Sequence, residues 1–390
     1  MRDFVYENPT KIYFGKNCLD SLGKELKRFG KKVLLVYGGG SIKRNGLYDK
    51  VVSIIDKEGL SLFELNGVEP NPRHTTANKG AAICKKEHIN VILAVGGGST
   101  IDCSKGIAAA ALTKDGDVWP LVSNHIWVTE ALPVVSILTN AATGSEMNEW
   151  AVISNMNTNE KMGLGGSALF PKVSFENPEY SFSLPSYQTA CGAVDIFNHV
   201  LDDYYFAGKA TFDLSLELQE AIMRNVVKWA PIALKDPSNY EARANLMWSS
   251  SIALNNFADA GSCHIGICHV MEHELSAYYD ITHGHGLAIL MPRWVKYILD
   301  ENTAPAIKRL GVKVFDIDDS LSPMEGAKET IKALEDFCFI KMGLSSHLKE
   351  LGIGEEHFLD MAKHAYNGHD IGLLKPLNEH DMIEIYKMCL

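Results

Sequence analysis

The stretch VILAVGGGSTIDCSKGIAAA, residues 91–110, decides the fold. Val91–Val95 is a short, continuous apolar run, the mark of a strand buried on both faces of a parallel sheet. Gly96-Gly97-Gly98-Ser99-Thr100 turns the chain, and Ile101–Leu112 then has helical period. The same order occurs upstream. An early strand within residues 4–15 and a helix at Cys18–Phe29 lead to the apolar run Val33–Tyr37. The turn Gly38-Gly39-Gly40-Ser41, a helix to about Glu58 and a strand at Leu60–Leu65 complete a β-α-β unit. A helix at His74–Lys86 precedes Val91, and a further strand, Pro133–Leu138, closes on Thr139–Ser145, rich in small and hydroxyl residues. Strands alternating with helices predict a parallel sheet, with three turns on the edge where doubly wound folds bind ligands.

From about Leu184 the texture changes. Strand-like runs nearly vanish, and Ser186–Tyr205, Phe212–Ala230, Glu241–Asn256 and Gly261–Tyr278 have helical period. Pro185 suits a helix start. The expected division is an α/β half, residues 1–183, and a helical half, residues 184–390.

A strand, a glycine turn and a helix suit a phosphate. Glycine admits close approach, free amides point at the oxygens, and the helix dipole favours an anion. Gly96, Gly97 and Gly98 supply the turn, and Ser99 and Thr100 add hydroxyls. The motif is neither G-x-G-x-x-G nor G-x-x-x-x-G-K. Alone, it serves equally as a tight turn with a closely packed helix. At the first turn, Gly38, Gly39 and Ser41 offer space and a hydroxyl, with Lys43 and Arg44 just beyond. No carboxylate stands there to repel a 2′-phosphate, which favours NADP over NAD.

The helical half carries different chemistry. HVMEHELSAYYDITHGHGLAILMP, residues 269–292, holds His269, His273, His283 and His285. His269 and His273 share one helical face, as do Asp195 and His199 in GAVDIFNHV. Two such helices packed face to face converge a carboxylate and several imidazoles, a recipe for a divalent metal. With 14 histidines in the chain, chance pairs are unsurprising, and ordinary hydrogen-bonded histidines are the competing reading. The dense run His283–Gly286 is costly to bury without a ligand or partners.

Composition narrows the partners. The 390 residues are 46% hydrophobic and 22% charged, with net charge −11, which argues against nucleic acid or an anionic membrane. No apolar run reaches the ~18 residues that span a bilayer. The N-terminus lacks an apolar signal region, and eight dispersed cysteines without a C-x-x-C pair suit a reducing cytoplasm. Cys263 and Cys268 flank the histidine stretch and are not needed as ligands.

Four segments together carry a resemblance to a known family: GGGSTIDCSK at Gly96–Lys105, LTNAATGSE at Leu138–Glu146, SLPSYQTACGAVDIFNHV at Ser183–Val200, and HVMEHELSAYYDITHG at His269–Gly284. The chain resembles the iron-containing (group III) alcohol dehydrogenases, of the NADPH-dependent butanol dehydrogenase and aldehyde reductase type. The resemblance implies a dehydroquinate synthase-like fold, with an α/β N-terminal Rossmann-like domain and an all-α C-terminal domain. It implies Asp195, His199, His269 and His283 as ligands of iron or zinc, and His273 as the proton relay beside the nicotinamide. Gly97, Gly98 and Ser99 match the pyrophosphate loop, Thr139, Asn140 and Thr143 the coenzyme contacts, and Lys161 the lysine at the nicotinamide ribose. His285 departs from many relatives and is either a pocket residue or a competing ligand.

The implied activity is NADP(H)-dependent interconversion of short- to medium-chain aldehydes, such as butanal, and primary alcohols. The implied enzyme is a cytoplasmic homodimer with no nucleic-acid or membrane partner. The competing reading is a metal-dependent lyase or cyclase resembling dehydroquinate synthase, which needs a basic pocket. Trp150, Tyr204, Tyr205, Phe206 and Phe257 read instead as an apolar aldehyde pocket. A nucleotide-binding regulator without turnover is the third reading, and the four-ligand set argues against it.

Overall fold

The computed structural model describes residues 3–206, 213–262, 266–372 and 374–390, with the side chains of Asp203 and Tyr204 excepted. The chain divides into two compact units, Glu7–Leu184 and Met1–Tyr6 with Pro185–Leu390.

The first unit runs β1 (Lys11–Phe14), α1 (Leu22–Lys27), β2 (Lys32–Tyr37), α2 (Ser41–Arg44), α3 (Leu47–Lys57), β3 (Ser61–Leu65), α4 (His74–Glu87), β4 (Val91–Gly96), α5 (Gly98–Ala110), α6 (Trp119–Ser123), β5 (Val134–Leu138), β6 (Trp150–Asn155), β7 (Glu160–Gly165) and β8 (Val173–Glu176). Six strands form one parallel sheet in the order β1-β8-β5-β4-β2-β3, and β6 and β7 pair antiparallel beside it in sequence as a separate hairpin. Side chains alternate across the sheet, which accounts for the two cores. Leu34, Val36 and Ile92 bury into a cluster with Ala77, Ala81 and Ile107 of α4 and α5. Val33, Leu35, Val91 and Leu93 bury into the opposite cluster with Leu22, Val51 and Ile55 of α1 and α3. From β2 the chain steps outward to β3, then crosses back to β4. That reversal makes the β2–β4 boundary the switch point, and the Gly38 and Gly96 turns leave its two carboxyl ends.

Three expectations for this unit need correction. The early strand is confined to Lys11–Phe14. The helix expected from the first turn to Glu58 is two helices, because Gly46 takes a left-handed conformation (φ 78°) between α2 and α3. The strands β6, β7 and β8 were not anticipated. β8 is a central strand between β1 and β5, and it buries Ser174 and Glu176 completely.

The second unit is helical: α7 (Ser186–Val200), α8 (Asp213–Lys235), α9 (Tyr240–Ala253), α10 (Ile267–Tyr279), α11 (His283–Tyr297), α12 (Ala304–Phe315), α13 (Pro323–Glu335), α14 (Phe358–Tyr366) and α15 (Glu379–Met388). Its core helices α7 and α11 are buried along almost their full length and pack on each other. Asn239, the Ser322–Glu325 capping box and the Asn378–Asp381 capping box start α9, α13 and α15. Between α10 and α11, Asp280 adopts a left-handed conformation (φ 51°), so the chain reverses within three residues. That turn delivers His283 to the first position of α11. Among the described residues no helix is long and apolar enough to cross a membrane.

Candidate metal and coenzyme sites

Asp195 and His199 lie one turn apart on α7, and His269 lies in the first turn of α10. Their ligand atoms all fall within 4.8 Å of one another. His283 Nε2 approaches the same carboxylate oxygen. The distances from Asp195 Oδ1 are 3.6 Å to His199 Nε2, 3.7 Å to His269 Nε2 and 3.5 Å to His283 Nε2. Hydrogen bonds would draw such atoms to about 2.7–2.9 Å. Ligands on a tetrahedral ion with bonds of about 2.0–2.2 Å stand about 3.3–3.6 Å apart. Each Nε2 thus stands from Asp195 Oδ1 about as far as two ligands of one cation would, and Asp195, His199 and His269 are the mutually close set. Asp195 Oδ1 is buried and takes no hydrogen bond, so the carboxylate is left to a cation. Burial raises the Asp195 carboxyl, but the imidazoles of His199, His283 and His269 outweigh it and hold it well below the ordinary carboxylate range. The residues present therefore fit a divalent metal, as three imidazoles and one carboxylate.

Two carboxylates absent from the sequence reading orient these rings. After α7 the chain widens into a π turn, Leu201–Tyr205, which carries Asp202. Asp202 Oδ2 accepts both the backbone N–H of His269 at 2.9 Å and its ring Nδ1–H at 3.1 Å. One oxygen thus caps α10 and fixes the ring. Glu272, fully buried, accepts the Nδ1–H of His283 and the hydroxyl of Ser276. A carboxylate only accepts, so the Nδ1 atoms carry protons and both Nε2 atoms face Asp195, where a bound metal would take their lone pairs.

His273 stands beside this set. Its ring lies 5.5 Å from that of His283, and Glu272, His273 and His283 present ligand atoms within 4.8 Å of one another. His285 is turned elsewhere: its Nε2 donates to the Ser345 carbonyl and its Nδ1 accepts from the Tyr187 hydroxyl, each at 3.1 Å. Burial lowers its pKa, in keeping with a neutral bridging ring. Cys268 is buried, and Cys263 lies outside the described residues.

In the α/β unit the three turns stand at the carboxyl ends of the neighbouring strands β2, β4 and β5. Gly96 must lack a side chain because Thr100 folds over it, its Cβ 2.7 Å from any Cβ there. A Cβ at Gly98 would lie 2.9 Å from Thr143 Cβ, and one at Gly97 would lie 3.1 Å from Asn140 Cβ. Asn140 and Thr143 of the third turn therefore pack onto the glycines of the second. Thr139 is buried and its N–H donates to Gly96 O. Ser99 departs from expectation: its hydroxyl donates to the Pro70 carbonyl, which leaves its backbone amide for an anion. At the first turn, Gly39 is open, a Cβ at Gly38 would lie 3.3 Å from the Val68 carbonyl oxygen, no carboxylate is present, and Ser41 is exposed. Lys43 is drawn back over the rings of Tyr37 and Tyr48, at 5.1 and 4.4 Å, whose hydroxyls both donate to Glu64. Arg44 reaches the turn, its guanidinium 3.9 Å from where a Gly40 side chain would begin. Lys161 lies buried in β7.

Two of the aromatic residues read as pocket walls belong to the helical core. Tyr205 is buried and donates to Glu220, and Phe206 packs on Trp294 in the helical core. Phe257 is exposed beside Tyr6, and Trp150 meets Trp127 in the other unit. The side chain of Tyr204 lies outside the described residues.

A parallel sheet with glycine turns at its switch point and, in the same chain, a buried carboxylate beside imidazoles at metal spacing define a class, metal-dependent enzymes with a nucleotide-binding type of sheet. Residues 9–178 match the family model "Iron-containing alcohol dehydrogenase", and residues 189–390 match "Fe-containing alcohol dehydrogenase family, C-terminal". The chain belongs to the iron-containing alcohol dehydrogenase family. It is an oxidoreductase of the alcohol dehydrogenase type, and membership implies a nicotinamide coenzyme and a divalent metal. It is 47% identical to the NADH-dependent butanol dehydrogenase A of Clostridium acetobutylicum over 99% of both chains. It is 32% identical to the NADPH-dependent aldehyde reductase YqhD of Escherichia coli, over 99% of this chain and 95% of that one. A crystal structure of the NADH-dependent butanol dehydrogenase A of Thermotoga maritima, 40% identical, superposes with a TM-score of 0.94 over 100% of this chain and 99% of that one. These relatives are dehydrogenases and reductases, and the lyase reading finds no support among them.

Proposed function

We infer that the enzyme reduces short- to medium-chain aldehydes such as butanal to primary alcohols, and runs the reverse reaction, with NADP(H) and a divalent metal, iron or zinc. The observation that carries this reading is the 3.5–3.7 Å spacing of three imidazoles around one orphaned carboxylate oxygen. Asp195, His199, His269 and His283 hold the metal, and residues 184–390 form its domain. Residues 1–183 hold the coenzyme through Gly38, Gly39, Ser41, Gly96–Thr100, Thr139, Asn140, Thr143 and Lys161. When bound, the metal supplies Lewis acidity to a carbonyl oxygen and the nicotinamide supplies a hydride. Asp202 and Glu272 keep the His269 and His283 rings aimed. His273, partly exposed beside His283, trades the proton with the substrate oxygen, directly or through water. The His273→Ala variant should keep its metal, turn over at least about tenfold more slowly and shift its pH profile.

The NADPH preference rests on the carboxylate-free Gly38–Ser41 turn, open at Gly39, with Arg44 beside it. NADH is the second reading, favoured by the names of the relatives at 47% and 48% identity. Initial rates with NADPH and NADH across a straight-chain aldehyde series, paired with metal analysis, decide between them. A preference for NADPH supports the turn argument, and a preference for NADH refutes it. Buried cysteines that form no disulfide among the described residues suit a reducing cytoplasm. The homodimer that the resemblance implies is checked by light scattering.

A further inference from the structure

We propose that Gly284 is a positioning residue for the metal-holding set, a role that rests on the metal reading above. Gly284 follows His283 in α11 and lies against Cys191 of α7, one turn before Asp195. A Cβ at Gly284 would overlap the Cys191 carbonyl oxygen and lie 2.6 Å from its carbonyl carbon and 2.9 Å from its Cα. These are backbone atoms of a buried helix, so they cannot swing aside. Carbon atoms in contact stand about 3.5–4.0 Å apart, so one methyl group forces α11 and α7 apart by on the order of 1 Å. Metal–ligand distances tolerate about 0.2 Å. The missing side chain is what lets His283 Nε2 come to 3.5 Å from Asp195 Oδ1.

The second glycine of the His283–Gly286 run acts on the same ligand from its other side. A Cβ at Gly286 would lie 2.7 Å from Glu272 Cγ, pressing on the carboxylate that holds His283 Nδ1. That contact is with a side chain, which can yield, so its effect is smaller. The run that looked like a pair of ligands is thus one histidine flanked by space, with His285 serving the core.

The test is competition for Zn²⁺ between the full-length protein and a chromogenic chelator, alongside thermal unfolding of the metal-free form. Gly284→Ala should weaken zinc binding by at least about tenfold. Gly311→Ala is the packing control: on α12, which carries no ligand, a Cβ there would meet the Thr330 hydroxyl and stand 2.9 Å from Ile317 Cδ1. It should lower the unfolding temperature yet leave zinc affinity within about twofold. If Gly284→Ala binds zinc like the parent while Asp195→Ala loses it, the positioning role is wrong and the site stands. If Asp195→Ala also keeps its zinc, the site is misassigned and the role falls with it. Should Gly284→Ala fail to fold, Gly286→Ala replaces it, with several-fold weaker zinc binding expected and unchanged binding overturning the idea.

Discussion

The glycine turns of the α/β unit and the histidine cluster of the helical unit are built from opposite materials. The turn after β4 works by what is missing: glycines whose place a Cβ would fill against Thr100, Asn140 and Thr143, and open amides. The cluster works by what is present, a buried carboxylate and imidazoles held by further carboxylates. A backbone cradle tolerates the loss of a hydroxyl but not the gain of a side chain. A side-chain cluster fails when any one member is cut away. The two regions should therefore answer substitution differently.

The largest effect belongs to the cluster. His199→Ala should lose most bound metal and, because Lewis acidity is worth several kcal/mol, about a thousandfold or more in kcat/KM, while circular dichroism shows an intact fold. One step outward, Asp202→Ala should weaken metal binding by about tenfold to a hundredfold. Asp202→Asn, which keeps an acceptor oxygen for both N–H groups of His269, should lose much less; equal losses in the two variants would mean that charge, and not aim, is what Asp202 supplies. In the turns the damaging change is an addition. Gly38→Asp should cost NADPH about tenfold in kcat/KM, ~1.4 kcal/mol, and leave NADH less affected or improved. The position is tight but not closed, since its Cβ would stand 3.3 Å from Val68 O. Equal loss with both coenzymes would show that this turn does not read the 2′ position. The smallest effect is a deletion in the cradle: Ser99→Ala should change the coenzyme KM by less than about threefold, because its hydroxyl is spent on Pro70.

The same contrast sets what was legible in the sequence. Strands β2, β4 and β5 are apolar runs closed by glycine or small residues, so their period and their turns could be read directly. β8 could not, because Ser174 and Glu176 look like surface residues. They are buried by partners remote in sequence: the Ser174 hydroxyl donates to Glu146 O and accepts from Ser136. In the helical unit, spacing of four residues exposed Asp195 with His199. Asp202 was hidden because its reach to His269 spans 67 residues and depends on a π turn. Glu272 was hidden by lying between two histidines that drew the eye. Tyr205 and Phe206 were misread as pocket walls because being next to a ligand helix does not say which face a residue takes.

The central claim is that one cation is shared by Asp195, His199, His269 and His283. His283 stands in the set Glu272, His273 and His283 and also comes within 3.5 Å of Asp195, whose mutually close partners are His199 and His269, so the claim is about place as well as number. A crystal of the metal-loaded enzyme, measured at the absorption edge of the bound metal, tests it most directly. The account predicts a single anomalous peak within about 2.0–2.2 Å of Asp195 and the Nε2 atoms of His199, His269 and His283. A peak among Glu272, His273 and His283 instead, with Asp195 left out, would contradict it.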